Sequence, residues 1–220
     1  MPVDPGSTLV ITAYGKVPSF VRGLVRDLRV RWACEEAGLA YAEDLIDVFD
    51  KPGDFAAKQP WTQVPALRDG DVRLFESGAI LIHLAEQSAM LMPREPQARA
   101  DVLSWTFAAF NSVEPLVMEL TNAAFFTRDE GWTKLRMPSL MQALAKRLRP
   151  VAARLEGRDW LADTFSIADI AMAHILMAAS KGSDLISQDE VLSAYLGRAT
   201  ARPAYKQALA DQLAAHDRSN

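Results

Sequence analysis

Residues 62–86, TQVPALRDGDVRLFESGAILIHLAE, place two short apolar runs on either side of an Asp-Gly pair and follow them with a longer apolar period. Asp69-Gly70 is the dipeptide a tight hairpin turn calls for, because Gly takes a positive φ without steric cost. Val-Pro-Ala-Leu and Val-Arg-Leu-Phe therefore read as paired antiparallel strands, and the residues after Glu76-Ser77 read as a helix. Strands alternating with helices imply a sheet covered on its faces.

The chain before this block supplies the rest of that sheet. Leu9–Tyr14, LVITAY, is rich in β-branched residues and reads as a buried first strand, broken by residues 15–19. Val21, Val25, Leu28 and Trp32 recur at helical spacing and predict a helix that closes at Gly38. Residues 41–48 predict a second strand, and 50–60 a loop holding one short helical turn. The basic run from Arg22 to Arg31, like that from Lys146 to Arg154, reads as a solvated helix face. The resulting order is β-α-β-loop-β-β-α.

Residues 88–96, SAMLMPREP, carry two prolines and predict a linker to a second region that is helical throughout. Leu103, Phe107, Phe110, Val117 and Leu120 form one apolar stripe, with a kink expected at Pro115; Leu140, Leu144, Leu148, Val151 and Leu155 form a second, interrupted at Pro150. In residues 159–176, DWLADTFSIADIAMAHIL, Ser166 and Asp169 have the spacing of a capping box, and Phe165 and Ile170 that of a hydrophobic staple. The helix they open is apolar nearly all round and should be buried, which gives Asp169 a structural role. The predicted domains are 1–88, a linker at 89–96, and an all-α domain at 97–220.

Half of the 220 residues are hydrophobic, enough for a proper core, and a net charge of −4 with interspersed signs gives no reason to expect nucleic acid or an anionic membrane as partner. Cys34 is the only cysteine, so no internal disulfide or Cys-x-x-Cys pair exists, and its place inside the first helix favours inert packing. No run reaches the length of a membrane span, and MPVDPGS lacks the features of a signal peptide, so a cytoplasmic location is expected. His83, His174 and His216 lack partners at ligand spacing; no metal is expected, His174 reads as a core residue and His216 as part of a polar tail.

The chemistry gathers at the two ends of the hairpin. Pro65 fixes φ in an extended segment, and a cis Val64-Pro65 bond would turn the Val64 N–H and C=O outward as a docking edge for a peptide. Glu76-Ser77 stands at a helix start, where free N–H groups and a hydroxyl suit a carboxylate while the Glu suits an ammonium. A peptide-like ligand with an α-amino acid end is implied.

With Val64-Pro65, Glu76-Ser77, the apolar helix after them and the Ser166/Asp169 box, the chain resembles the glutathione transferase superfamily. The resemblance implies a thioredoxin-like α/β N-terminal domain followed by an all-α C-terminal domain. It also implies glutathione as co-substrate, an apolar electrophile as second substrate, a homodimer and a role in detoxification. Glu76 and Ser77 would hold the γ-glutamyl group, Val64 and Pro65 the cysteinyl backbone, and Lys51 and Gln63 the glycine carboxylate and cysteinyl backbone. The electrophile would lie between the domains, against an aromatic-rich region in which Trp105, Phe107 and Phe110 are the pocket candidates.

Conjugation needs a thiolate at neutral pH, so the protein must stabilise one. The segment YGKVPSFVRGLVRDLRVRWACEEAGL departs from the superfamily pattern, because the expected Ser or Cys position falls near Gly23-Leu24. Ser19, Tyr14, backbone N–H groups and Arg22 remain as candidates for activation. Two other functions stay open at this stage: a non-catalytic binding or regulatory module, and a glutathione-dependent isomerase, dehalogenase or peroxidase.

Overall fold

The computed structural model describes residues 3–218. By contacts the chain divides into two compact units, one running through Met92 and taking in the chain from Ala201, the other Pro93–Thr200.

The first unit is built on a four-stranded sheet of order β2-β1-β3-β4, with β1 Leu9–Lys16, β2 Ala42–Asp47, β3 Ala66–Asp69 and β4 Val72–Phe75. β1 pairs parallel with β2 and antiparallel with β3. The β3–β4 turn falls at Gly70, whose φ of 58° is open to glycine at no cost. Helix α1 (Asp27–Ala37) crosses between β1 and β2 and ends at Gly38 in the left-handed conformation. A short α2 (Phe55–Lys58) precedes β3, and α3 (Ser77–Ala85) follows β4.

Two readings of the α1 region are corrected. The helix begins at Asp27, so Val21 and Val25 lie before it, on and after a 3-10 turn at Ser19–Val21. The stretch from Arg22 to Arg31 is also no solvated face, since Asp27 through Cys34 are all buried, Arg29 and Arg31 included. The missing element was the C-terminal helix α9 (Pro203–Arg218), which packs on α1 within the first unit. A guanidinium buried this way needs ionic partners. Arg31 donates to Asp27 at 2.7 Å and to Glu43 at 2.5 Å, while Gln212 of α9 donates to the other Asp27 oxygen at 2.9 Å. Arg218 donates to Glu43, and Arg202 forks onto both oxygens of Glu36. His216 is buried against this helix pair, correcting its placement in a polar tail.

The second unit is helical. Glu95 caps α4 (Pro96–Ala108) by accepting from the Gln97 and Ala98 N–H groups, and Pro96 occupies the first turn, where no N–H is missed. The expected kink at Pro115 is a five-residue π-helical turn, Ala109–Val113, leading into α5 (Glu114–Phe125). That extra residue per turn shifts the buried face to Val102, Thr106, Ala109, Val113, Val117 and Leu120. Phe107, expected in the apolar stripe, is therefore 53% exposed. Helix α6 (Gly131–Leu155) runs through Pro138 and Pro150 without the interruption expected at Pro150, held by the buried row Leu140, Leu144, Leu148, Val151 and Leu155. Helix α7 (Ile167–Gly182) is buried on every side from Ile167 to Leu176, His174 among them, and α8 (Glu190–Ala201) closes the unit. No described helix is long and apolar enough to cross a membrane.

Candidate glutathione site

Hairpin register brings the two motifs of the first unit to one end of the sheet. Ala66 pairs with Phe75, so the Val64-Pro65 corner that leads into β3 lies beside the Glu76-Ser77 corner that leaves β4. Val64-Pro65 is cis, and Val64 is buried in a cluster with Ile46 and Phe55. Tyr14, half-buried on β1, packs on the same cluster, and burial holds its phenol above the ordinary value, so it stays protonated and able to donate.

Residues ahead of the Pro are tied in place by side chains. Lys51 Nζ donates to the Thr62 carbonyl at 2.8 Å and sits 5.9 Å from the Tyr14 ring centre. Gln63 accepts from Arg26 at 3.0 Å, and its N–H donates to the Gln59 side chain at 3.2 Å. Thr62 has a φ of 50°, a left-handed conformation in which a β-branched residue is strained. One Lys51 donor is thus spent on the loop itself.

At the other corner, Glu76 has a φ of 68° and is exposed, with no side chain capping the start of α3. The N-terminal N–H groups of this helix are therefore open to an external acceptor, at the end where the backbone dipoles favour negative charge. Ser77 is buried, and its Oγ accepts from Arg29 Nη1 of α1 at 3.1 Å.

The candidates for thiol activation separate. Ser19 is exposed on its 3-10 turn, its hydroxyl open to solvent ahead of α1. Arg22 is engaged with Asp217 at 2.5 Å and the Leu213 carbonyl at 3.4 Å, which counts against it as a free source of positive potential. Cys34 is fully buried, and desolvation pushes its thiol well above the usual range.

In the second unit the aromatic candidates do not share one wall. Trp105 is half-buried under Arg154 of α6, 5.9 Å from its ring centre, whereas Phe107, two residues on, projects from a different side of α4. Phe110 lies in the π-helical turn. The start of α7 is fully satisfied from within: Asp169 accepts from the N–H groups of Leu161 and Ser166 at 3.0 Å, from Ser166 Oγ at 3.3 Å and from Tyr195 at 3.0 Å. Ser166 Oγ in turn accepts from the Ala168 N–H at 3.3 Å. Burial pushes the Asp169 carboxyl up to about 6, against these hydrogen bonds, and leaves it ionised near neutrality. Among the described residues, no group of three or more His, Cys, Asp or Glu could hold a metal ion.

Sequence reasoning missed Arg29, Arg26, Gln59 and the left-handed Thr62. The signal for Arg29 lay in RVRWAC, where arginines alternate with residues that can only be core. Thr62 carried no signal, since nothing in its chemistry asks for a positive φ.

Comparison with known proteins identifies the family. The model described as the glutathione S-transferase N-terminal domain matches residues 11–86. The disulfide-bond oxidoreductase YfcG of Escherichia coli is 30% identical over 199 residues, covering 84% of this chain and 91% of that protein. Glutathione S-transferase F10 of Arabidopsis thaliana is 29% identical over 178 residues, covering 74% and 81%. Among solved structures, a glutathione transferase of Burkholderia graminis with two glutathione molecules bound per subunit superposes with a TM-score of 0.82 at 26% identity, covering 94% of this chain and 90% of that one. One from Pseudomonas putida, with one glutathione disulfide bound per subunit, gives 0.81 at 26% identity over 94% and 93%. The chain belongs to the glutathione S-transferase superfamily.

Proposed function

We propose that the protein is a glutathione transferase that binds glutathione across the two corners of the β3–β4 hairpin and promotes attack of its thiolate on a small apolar electrophile. The observation that carries this reading is the α3 start, an uncapped helix end bearing a serine hydroxyl, with an exposed carboxylate one residue away. The α-carboxylate of the γ-glutamyl group meets the N–H groups and Ser77, its ammonium meets Glu76, and the cysteinyl backbone runs along Val64-Pro65. Lys51 and Gln63 face the remaining part of the peptide. Ser19 is the leading donor to the thiolate and Tyr14 the second.

Retention on immobilised glutathione, followed by turnover of chlorodinitrobenzene, tests the reading in two stages. Retention with turnover supports a transferase, retention without turnover supports a binding module, and absence of retention removes the site. A second activity, thiol–disulfide exchange carried by glutathione, is favoured by the likeness to a disulfide-bond oxidoreductase. Because Cys34 is buried, both thiols of that exchange would come from glutathione, two molecules of which are oxidised to one disulfide as the substrate disulfide is reduced. We further propose a cytoplasmic homodimer. Light scattering should return twice the chain mass at micromolar concentration, and a monomer mass would refute the assembly.

A further inference from the structure

We propose that Arg29 is a positioning residue that fixes the Ser77 hydroxyl as a hydrogen-bond donor and so makes the α3 start select an ionised carboxylate; this rests on the glutathione reading above. A serine hydroxyl has one proton and two lone pairs and, left to itself, serves donors and acceptors alike. Arg29 removes that freedom. Its guanidinium is donor-only and stays charged, so the Nη1–H···Oγ bond of 3.1 Å occupies an Oγ lone pair and forbids the hydroxyl proton from pointing at α1.

Both groups are buried, Arg29 at 2% exposure and Ser77 at 6%, so water does not scramble the arrangement. Among the described residues, the Ser77 hydroxyl donates to nothing. A buried donor with no acceptor is costly, and here it stands at a helix end whose N–H groups are also uncapped. Apart from the exposed Glu76 carboxylate, which is left for the ammonium, the groups that face a ligand at the α3 start, the first-turn N–H groups and the Ser77 hydroxyl, are donors, with the Arg29 guanidinium one bond behind them. A carboxylate satisfies that set, whereas a carboxamide of the same shape presents an NH2 to one of the donors and leaves it unpaired.

The test compares two probes by calorimetry, glutathione and its analogue with the γ-glutamyl α-carboxylate converted to the primary amide. Wild type should prefer glutathione by about a hundredfold, the scale set by one charge-assisted bond and one clash of donors. Arg29→Gln offers Ser77 an amide oxygen to which the hydroxyl can donate, and should cut the preference about tenfold. Arg29→Lys keeps a donor-only cation and should hold it within about threefold.

An unchanged preference in Arg29→Gln overturns the proposal, as does a collapse in Arg29→Lys equal to that in Arg29→Gln. A merely structural role would weaken both probes together and leave the preference intact. Should Arg29→Gln fail to fold, the Ser77 hydroxyl proton is followed by NMR in wild type, where it should move downfield with glutathione and not with the amide; an unmoved proton overturns the proposal. Wild type that binds neither probe removes the glutathione reading itself.

Discussion

Helix α7 opens on Ser166, whose hydroxyl accepts from the Ala168 N–H while Asp169 reaches back to the Ser166 N–H, so the first turn is closed by its own side chains. Helix α3 opens beside Ser77, with Glu76 outside in a left-handed conformation and no side chain on the first-turn N–H groups. The residue types are the same, an acid and a serine at a helix start. What differs is direction: Asp169 follows its serine by three residues and folds back, whereas Glu76 precedes its serine and points away. A capped end contributes stability and is silent to ligands; an open end forgoes that stability and becomes a place for an anion to bind.

The contrast breaks most visibly at Asp169. Asp169→Ala removes the acceptor of two backbone N–H groups and two hydroxyls in a buried setting, and should cost about 3–4 kcal/mol of stability, read by urea denaturation of the second unit. Its effect on glutathione affinity, measured where the protein is folded, should be negligible. A wild-type denaturation curve with binding abolished would reverse the roles assigned to the two helix starts.

The next effect belongs to the thiol. Ser19→Ala should raise the pKa of bound glutathione by about one unit and cut turnover near neutral pH about tenfold, because one bond to a thiolate is worth about 1.5 kcal/mol, and binding should scarcely change. Ultraviolet absorbance of the thiolate follows this directly. Should Ser19→Ala keep the absorbance and Tyr14→Phe lose it, the donor is the β1 phenol; should both keep it, backbone N–H groups do the work.

Glu76→Gln leaves the helix end open while removing the carboxylate proposed to meet the ammonium. At an exposed carboxylate this should weaken glutathione about threefold to tenfold, with no change in melting temperature. The smallest effect is expected at Asp217→Asn, which breaks the Arg22 pair that ties the 3-10 turn to α9. Both partners are partly exposed, so at most about 0.5 kcal/mol of stability should be lost.

The elements of the first unit were legible because each carries its own punctuation: Asp69-Gly70 marks the hairpin, Gly38 ends α1, and the Val-Pro and Glu-Ser corners follow from hairpin register. The buried α1 face was not. Arginines at 29 and 31 look solvent-facing until elements distant in sequence surround them, α3 at Arg29 through Ser77 and α9 at Arg31 through the Gln212 bond to Asp27. The aromatic stripe of α4 was misjudged for a local reason, since helical spacing counted across a π-helical turn slips by one residue and turns Phe107 outward. Capping at Ser166 was visible in full, because a capping box is a contact between residues three apart.

Titrating glutathione into Ser77→Ala asks whether the open α3 start is where the carboxylate of glutathione binds. Loss of one bond to a charged group should weaken affinity by about ten- to a hundredfold. The loss of stability should stay near 1 kcal/mol, from the Arg29 donor left without its hydroxyl. Unchanged affinity in a folded Ser77→Ala protein would contradict the assignment.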